Sequence, residues 1–432
     1  MAQNFWLVSR FNSLLKFRLV SRLKRGVVLI LLFAMVAPRA ATAAAPGEAS
    51  AVGPSVAMPD VSMPDVSKPD VSKPDLSKAA ATPQLTFAAF GDMPYLIKLP
   101  NGRTDDQILI EDLAPALRGR DDIPFVIHLG DLSRPETACF DGWLRQTQRF
   151  WQEKIVKPVF YTPGDNDWTD CDRKSLAVRQ SELGRLEQLR KIMFGAPKTF
   201  TPTWQLGEVR KIIVADPGLA NPQATLGAIR RVLALGPKEF AQEWRYESQP
   251  ELPENALWWR SGVLFVTLHN VSTNNGRTDV LLDDPRKAIA LVDERDRQNQ
   301  RWLNRAFDLA RKPDTKALVV ATQLDPFGPA IRKEAPLARC LSNPAYAGFC
   351  RQIQALSGSL DKPVLLLQGD TNAYCLDQPF GQPKNLWRLN APGDFKYLDA
   401  AVIRVFPADA NQPFQVTGLL SAEAAPAVCD YR

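Results

Sequence analysis

Phe125-Val126-Ile127-His128-Leu129-Gly130-Asp131 decides the fold: a short, mostly apolar run that closes on glycine and then aspartate. The same ending occurs at Phe90-Gly91-Asp92, Pro163-Gly164-Asp165 and Gln368-Gly369-Asp370, each after a run of strand length. A single Gly-Asp is read most simply as a turn or a helix cap. Repeated at equivalent ends of separate runs, it becomes a pattern. Glycine lets the chain reverse sharply at a strand end, and the next side chain is carried to the edge where α/β sheets bind ligands.

Outward from these ends, the apolar runs Leu85 to Phe90, Phe125 to Leu129, Pro158 to Thr162, Val263 to Leu268, Ala317 to Thr322 and Val364 to Gln368 predict buried strands. Ala400 to Phe406 and Pro413 to Leu419 have no helical pattern between them, which predicts an antiparallel edge. Helical patterns cover Asp105 to Leu117, Gly142 to Lys154, Lys174 to Phe194, Ala228 to Glu243 and Glu294 to Arg311. The alternation places the chain in the α/β class, with an insertion at about residues 201–257 interrupting the strand series.

Carboxylates that converge at strand ends repel one another unless a cation neutralises them, so a divalent metal site follows. The order and context of the motifs resemble the calcineurin-like metallophosphoesterase superfamily, over nearly all of residues 85–380. The family's pattern runs Asp-x-His, Gly-Asp, Gly-Asn-His-Asp/Glu, a strand ending in His, then Gly-His-x-His. The resemblance implies a four-layer α-β-β-α sandwich of two mixed sheets and an activity on phosphate esters. By position, Asp92 matches the first metal-binding Asp and Asp131 the Asp that bridges two ions. In Gly164-Asp165-Asn166-Asp167, Asp165 replaces the family's ligating Asn and Asn166 its catalytic His.

The other departures remove imidazole altogether: Pro94 stands for the His of Asp-x-His, Gln323 for the strand-ending His, and Gly369-Asp370-Thr371-Asn372 for Gly-His-x-His. The expected ligand set is therefore oxygen-rich: Asp92, Asp131, Asp165, Gln323, Asp370 and Asn372, with Asn166 beside them. Oxygen donors favour Mg²⁺, Mn²⁺ or Ca²⁺ over zinc. Asn166 cannot shuttle a proton near neutral pH, which leaves Asp167 and His269 as acid–base candidates. The second reading is a binding module that has lost catalysis, favoured by the missing histidines and opposed by the retained carboxylates.

The chain has two histidines. His128, inside its strand, reads as a hydrogen-bonded structural residue; His269 opens the polar loop Asn270 to Gly276 and has both a structural and a catalytic reading. Asn274, Asn275 and Arg277 offer the amide and guanidinium donors that would bind a phosphate, against the plainer reading of a solvated loop. Tyr95 and Trp168 flank the first and third motifs as an aromatic wall or as core.

Arg10, Lys16, Arg18, Arg22, Lys24 and Arg25 precede the apolar run Gly26 to Ala37, and small residues follow to Ala45: an export signal over residues 1–45. The run is too short for a spanning helix, so no stable membrane span is expected after cleavage. Residues 1–45 hold seven Lys/Arg and no Asp or Glu, so the net charge of +6 becomes −1 without them. The basic balance thus gives no reason to invoke nucleic acid. The pentapeptide repeat from Met58 to Ser77 predicts an extended, disordered linker over residues 46–82, with the phosphoesterase-like domain at 83–432.

Six cysteines, all beyond the signal, suit a periplasmic or secreted location. None forms a Cys-x-x-Cys pair, and spacing alone leaves the connectivity open. If the second and third Gly-Asp strands are neighbours, Cys139 and Cys171 are placed to pin the rim of the site. Cys340 and Cys350 then bracket a local loop, and Cys375 with Cys429 remain.

Overall fold

The computed structural model describes residues 82–195, 237–328 and 335–431; the expected signal, the repeat and residues 201–236 of the expected insertion lie outside them. Strands form two sheets. In the first, the order is β12 (Phe414–Gly418), β11 (Ala401–Val405), β1 (Leu85–Phe90), β2 (Val126–His128), β3 (Val159–Tyr161). In the second it is β4 (Glu247–Ser248), β5 (Ala256–Arg260), β6 (Val263–Thr267), β7 (Ala317–Ala321), β8 (Val364–Gln368), β10 (Leu386–Asn390), β9 (Cys375–Asp377). Both are mixed: β1, β2 and β3 are parallel with β11 antiparallel to β1, and β6, β7, β8 and β10 are parallel between antiparallel edges.

Strand alternation sorts the side chains into layers. Phe87 and Ala89 of β1 join Phe125, Ile127, Phe265, Val319, Leu365, Leu367 and Ile403 in a core between the sheets. Aromatic rings close that interface: Phe160 of β3 stacks on Trp258 of β5 at 3.8 Å, and Phe125 meets Phe265 edge-on at 5.1 Å. Ala88 and Phe90 point the other way, onto Leu109, Leu113, Leu117, Leu144 and Trp151 of the helical segments 105–118 and 141–155. Beyond the second sheet, Leu264, Val266, Leu318, Val320 and Leu366 meet Trp302, Leu303, Phe307, Cys350 and Ile353 of the helices Pro285–Ala310 and Ala347–Gly358. The result is the expected helix-sheet-sheet-helix layering.

The predicted edge forms as β11 and β12, paired antiparallel with Ala401 opposite Gly418. Several elements differ from the sequence reading. The helix expected from Lys174 begins at Glu182, where the Ser181 hydroxyl accepts the Gly184 amide at 3.0 Å. The helix expected from Glu294 reaches back to Pro285, capped by the Asp284 carboxylate on the Lys287 amide. Asp-Pro is a start signal that the apolar periodicity outweighed. Residues 247–257, inside the expected insertion, supply β4 and the start of β5 to the second sheet.

Strand β10 escaped because its apolar run is broken by Arg388, a fully buried residue whose guanidinium is held by Asp377 of the adjacent β9. Only pairing makes that charge tolerable in a core.

Disulfides join Cys139 to Cys171, Cys340 to Cys350 and Cys375 to Cys429. The condition for the first pair holds, since β2 and β3 are neighbours. Among the described residues no helix is long and apolar enough to cross a membrane.

Candidate metal centre

The carboxyl ends of β1, β2 and β3 from one sheet and of β8 from the other meet at one rim, and the Gly-Asp pairs occupy it. Asp92, Asp131 and Asp370 have φ of 53°, 51° and 73°. This left-handed backbone, which aspartate tolerates better than most residues, reverses the chain and aims each carboxylate back across the strand ends. The turns are packed against one another. A Cβ on Gly164 would stand 2.0 Å from Asp131 Oδ1, so no other residue leaves the β2 and β3 loops this close.

One oxygen each of Asp131, Asp165 and Asp370 lies within 4.8 Å of the others. Asp92 adjoins them: its Oδ2 accepts the Asp370 amide at 3.1 Å, and the Tyr95 hydroxyl lies 3.4 Å from its Oδ1 and 3.2 Å from Asp131 Oδ2. Burial pushes the Asp131 carboxyl well above its usual range, and every neighbour acting most strongly on it, Asp165, Asp92, Asp167 and Asp370, is another acid. Asp370 is raised by burial and then by Asp165, and Asp92 by burial and then by Asp394. Among the described residues no Lys or Arg is ion-paired with Asp92, Asp131, Asp165 or Asp370; such a set of acids fits a hard divalent ion, and its carboxylate donors are all oxygen.

Around this cluster stand residues the sequence reading passed over. Ser272 Oγ donates to Asp370, 2.7 Å from each carboxylate oxygen, and Thr273 Oγ1 donates to Asp165 Oδ2 at 2.7 Å. Thr273, Asn274 and Asn275 follow one another with φ of 56°, 53° and 58°, a left-handed turn that carries both hydroxyls to the acids. The sequence marks the loop after β6 as polar, but nothing local distinguishes its hydroxyls from its amides as the groups that face the acids.

The candidate residues divide by what holds them. Asn166 is half-buried at the mouth; its backbone amide donates to Asp131 Oδ1 at 3.1 Å and its side-chain amide lies 3.4 Å from the Tyr95 hydroxyl. Asn372, also half-buried, follows Asp370 by two positions. Gln323 reaches the cluster as a donor, with Nε2 at 3.2 Å from Asp165 and 3.0 Å from Asp370, while its oxygen accepts the Ser272 amide. In this arrangement it bridges two acids and does not present a ligand atom.

Four candidates have structural partners instead. Asp167 accepts the amides of Asp131, Leu132 and Gly164 and the Tyr161 hydroxyl, at 2.7 to 3.0 Å, which fills the lone-pair sites of a carboxylate. It ties the second and third loops together. Arg277 is paired with Asp293 and Asp296, and Asn275 with Asp296, Arg295 and the Val271 amide. Asn274 accepts from the Asn343 side chain, and its own amide donates to the Tyr346 hydroxyl at 3.0 Å. Asp293, Arg295 and Asp296 belong to the helix Pro285–Ala310, which starts earlier than its apolar periodicity predicts.

His269 is fully buried, not at the mouth: Nδ1 lies 2.7 Å from Glu254, which Arg190 also holds, and Trp168 packs edge-on against the ring. Burial, then the charge of Arg295, lowers its pKa to about 4. His128 is lowered to about 3 by burial among Phe90, Trp151 and Tyr161, consistent with a structural residue. Tyr95 belongs to the wall of the site, whereas Trp168 is core, packed with Leu186 and Val271. Replacing His269 by Gln should leave kcat/KM within about threefold, where loss of a general acid or base would cost at least about a hundredfold. The denaturation midpoint should fall, by about 1–3 kcal/mol in stability, because Glu254 loses a buried partner. A hundredfold loss of rate at unchanged stability would return His269 to the chemistry.

The raised carboxyls also set a pH dependence. In the metal-free protein the folded state retains protons on Asp92, Asp131 and Asp370 that the unfolded chain releases above about pH 4. Their contribution is complete below that value and is lost as pH rises. His128 and His269 run oppositely: with folded values of about 3 and about 4, their contribution is complete above about pH 6.5 and lost as pH falls. Between about pH 6.5 and 8 the histidine contributions are complete while those of the raised acids are being lost, so the thermal midpoint in chelator should fall across that window. Saturating Mn²⁺ should remove most of the fall. A midpoint in chelator that stays level would mean the carboxylates are not buried together.

No protein-family model matches this chain, and no curated protein matches it. Among solved structures it is similar to PhoD, at 12% identity over 80% of this chain and 72% of that one with a TM-score of 0.35. It is also similar to a dimetal phosphatase from Danio rerio, at 11% identity over 81% of this chain and 100% of that one with a TM-score of 0.35.

Proposed function

We propose that this protein is an exported, metal-dependent hydrolase of small phosphate esters. The observation that carries the reading is the convergence of Asp131, Asp165 and Asp370 from both sheets, their oxygens within 4.8 Å. A hard divalent cation, Mg²⁺, Mn²⁺ or Ca²⁺, supplies the positive charge that attack of water on a phosphoryl group requires. Asp131, Asp165 and Asp370 hold it, with Asp92 and Asn372 alongside. Burial and the charge of Asp131 raise the Tyr95 hydroxyl well above its usual pKa, so Tyr95 stays protonated and donates. With the Asn166 amide, it is placed to bind a phosphoryl oxygen at the mouth of the site. Neither group gives up a proton near neutral pH, so the chemistry favours esters whose leaving group needs no protonation, aryl above alkyl.

Export rests on residues 1–45 as a signal and 46–82 as a tether, with 83–432 as the catalytic domain, and three disulfides support an oxidising destination. The absence of imidazole favours the second reading, a binding module that keeps the cation and not the reaction. Assay of the purified protein on a generic aryl phosphate with Mg²⁺, Mn²⁺, Ca²⁺ or Zn²⁺, beside Asp131→Asn, separates the two. Metal-dependent turnover lost in the variant supports the hydrolase; cation binding with no turnover in any condition leaves the module.

A further inference from the structure

One aromatic ring at the rim is not explained by the core. Phe395 is 49% exposed although its ring meets that of Tyr95 at a tilt, centroids 5.1 Å apart, and the Tyr95 hydroxyl lies 3.2 Å from Asp131. Its loop is fastened to the site: the Asp394 amide donates to the Asp92 carbonyl at 2.8 Å, and the Gly91 amide to the Pro392 carbonyl at 3.4 Å. Gly393 makes this approach possible, since at its φ of 156° a Cβ would stand 2.2 Å from the Gly91 carbonyl oxygen. The chain therefore brings Phe395 to the edge of the acid cluster and leaves half of it open to solvent.

A cation stands over the same ring. The Arg134 guanidinium carbon lies 5.4 Å from the centre of Phe395, and Arg134 itself is exposed. It belongs to the loop after Asp131, where the Ser133 hydroxyl donates to the Pro94 carbonyl at 2.8 Å and so ties that loop to the Tyr95 segment. Among the described residues the Arg134 guanidinium has no carboxylate within ion-pair distance, and its charge acts on Asp394 of the same rim. An open aromatic surface beside the acid cluster, with an exposed guanidinium at its side, matches a planar group that carries negative charge.

We propose that Phe395, Arg134 and Tyr95 form a leaving-group subsite that selects phosphate esters of planar aromatic groups bearing a second anion. The proposal rests on the phosphoesterase reading and adds the class of substrate to it. Loss of the aromatic contact at Phe395 is expected to cost up to about tenfold in affinity.

The test uses unreactive probes, which separate recognition from leaving-group chemistry. Binding of 4-carboxyphenylphosphonate, phenylphosphonate and methylphosphonate to the full protein is measured by calorimetry in Mn²⁺, for the wild type, Phe395→Ala and Arg134→Gln. The wild type should bind in that order of strength. Phe395→Ala should lose up to about tenfold on both aryl probes and nothing on methylphosphonate, and Arg134→Gln should lose only the preference for the carboxylate. Equal binding of all three probes by the wild type, or aryl binding untouched in Phe395→Ala, overturns the subsite alone. If no probe binds while Mn²⁺ does, the phosphoesterase reading fails and the subsite with it. Unchanged thermal midpoints of the two variants confirm that any loss is one of recognition.

Discussion

Asp131→Asn is expected to lower metal-dependent turnover by at least about a thousandfold while making the metal-free protein more stable. The two effects have one cause. Asp131 is buried, its strongest neighbours are acids, and its Oδ1 accepts the Asn166 amide. Asn is nearly the same size and can keep that hydrogen bond, so the loops need not move. What it removes is a carboxylate whose charged form is disfavoured without a cation and required with one. The thermal midpoint in chelator at pH 8 should therefore rise, and the rise on adding Mn²⁺ should shrink. For the wild type that rise corresponds to about 2.7 kcal/mol at a cation concentration one hundred times Kd. A variant that loses activity and also unfolds in chelator would show that Asp131 serves the fold rather than a cation.

Joint replacement of Cys139 and Cys171 by Ala is the second large effect. The bond closes a segment of 32 residues, which contains β3 and the Gly164 to Asp167 turn. Chain-entropy arguments give about 4 kcal/mol for a loop of this length, an upper value where the reduced chain keeps residual structure. Position makes the loss functional too. The sulfurs of Cys139 and Cys171 lie 3.7 and 3.9 Å from the Asn166 carbonyl oxygen, so the bond backs the turn that presents Asp165 and Asn166 to the site. The double variant should melt earlier and show a higher KM even at temperatures where it is folded. The corresponding change at Cys340 and Cys350, which join two helices beyond the second sheet, should lower stability with KM unchanged. Equal effects on KM from both pairs would rule out a special role for the first.

The acids were legible because each follows a glycine at a strand end, and strand ends are visible in apolar runs. The layering was legible as well: Phe87 and Ala89 against Ala88 and Phe90 is an alternation that needs two covered faces. Strand β10 was hidden because Arg388 interrupts it, and its partner Asp377 is close only once β9 has paired. The loop after β6 was legible as polar, but not which of its groups face the acids.

The sequence alone determined where carboxylates occur relative to strands and that imidazole is missing from the metal motifs. Those are local facts, set by backbone preference and by the identity of one residue after another. Tertiary structure alone decided which polar groups are free to act. Asp165 and Asp167 are two residues apart, yet Asp165 meets Asp131 and Asp370 while Asp167 is filled by three amides and a hydroxyl. His269 and Arg277 are withdrawn by Glu254 and by Asp293 with Asp296, and Ser272 is brought to Asp370 across 98 positions of sequence. A buried polar group takes the partners that folding brings to it, and those partners come from elements too remote for any local pattern to announce.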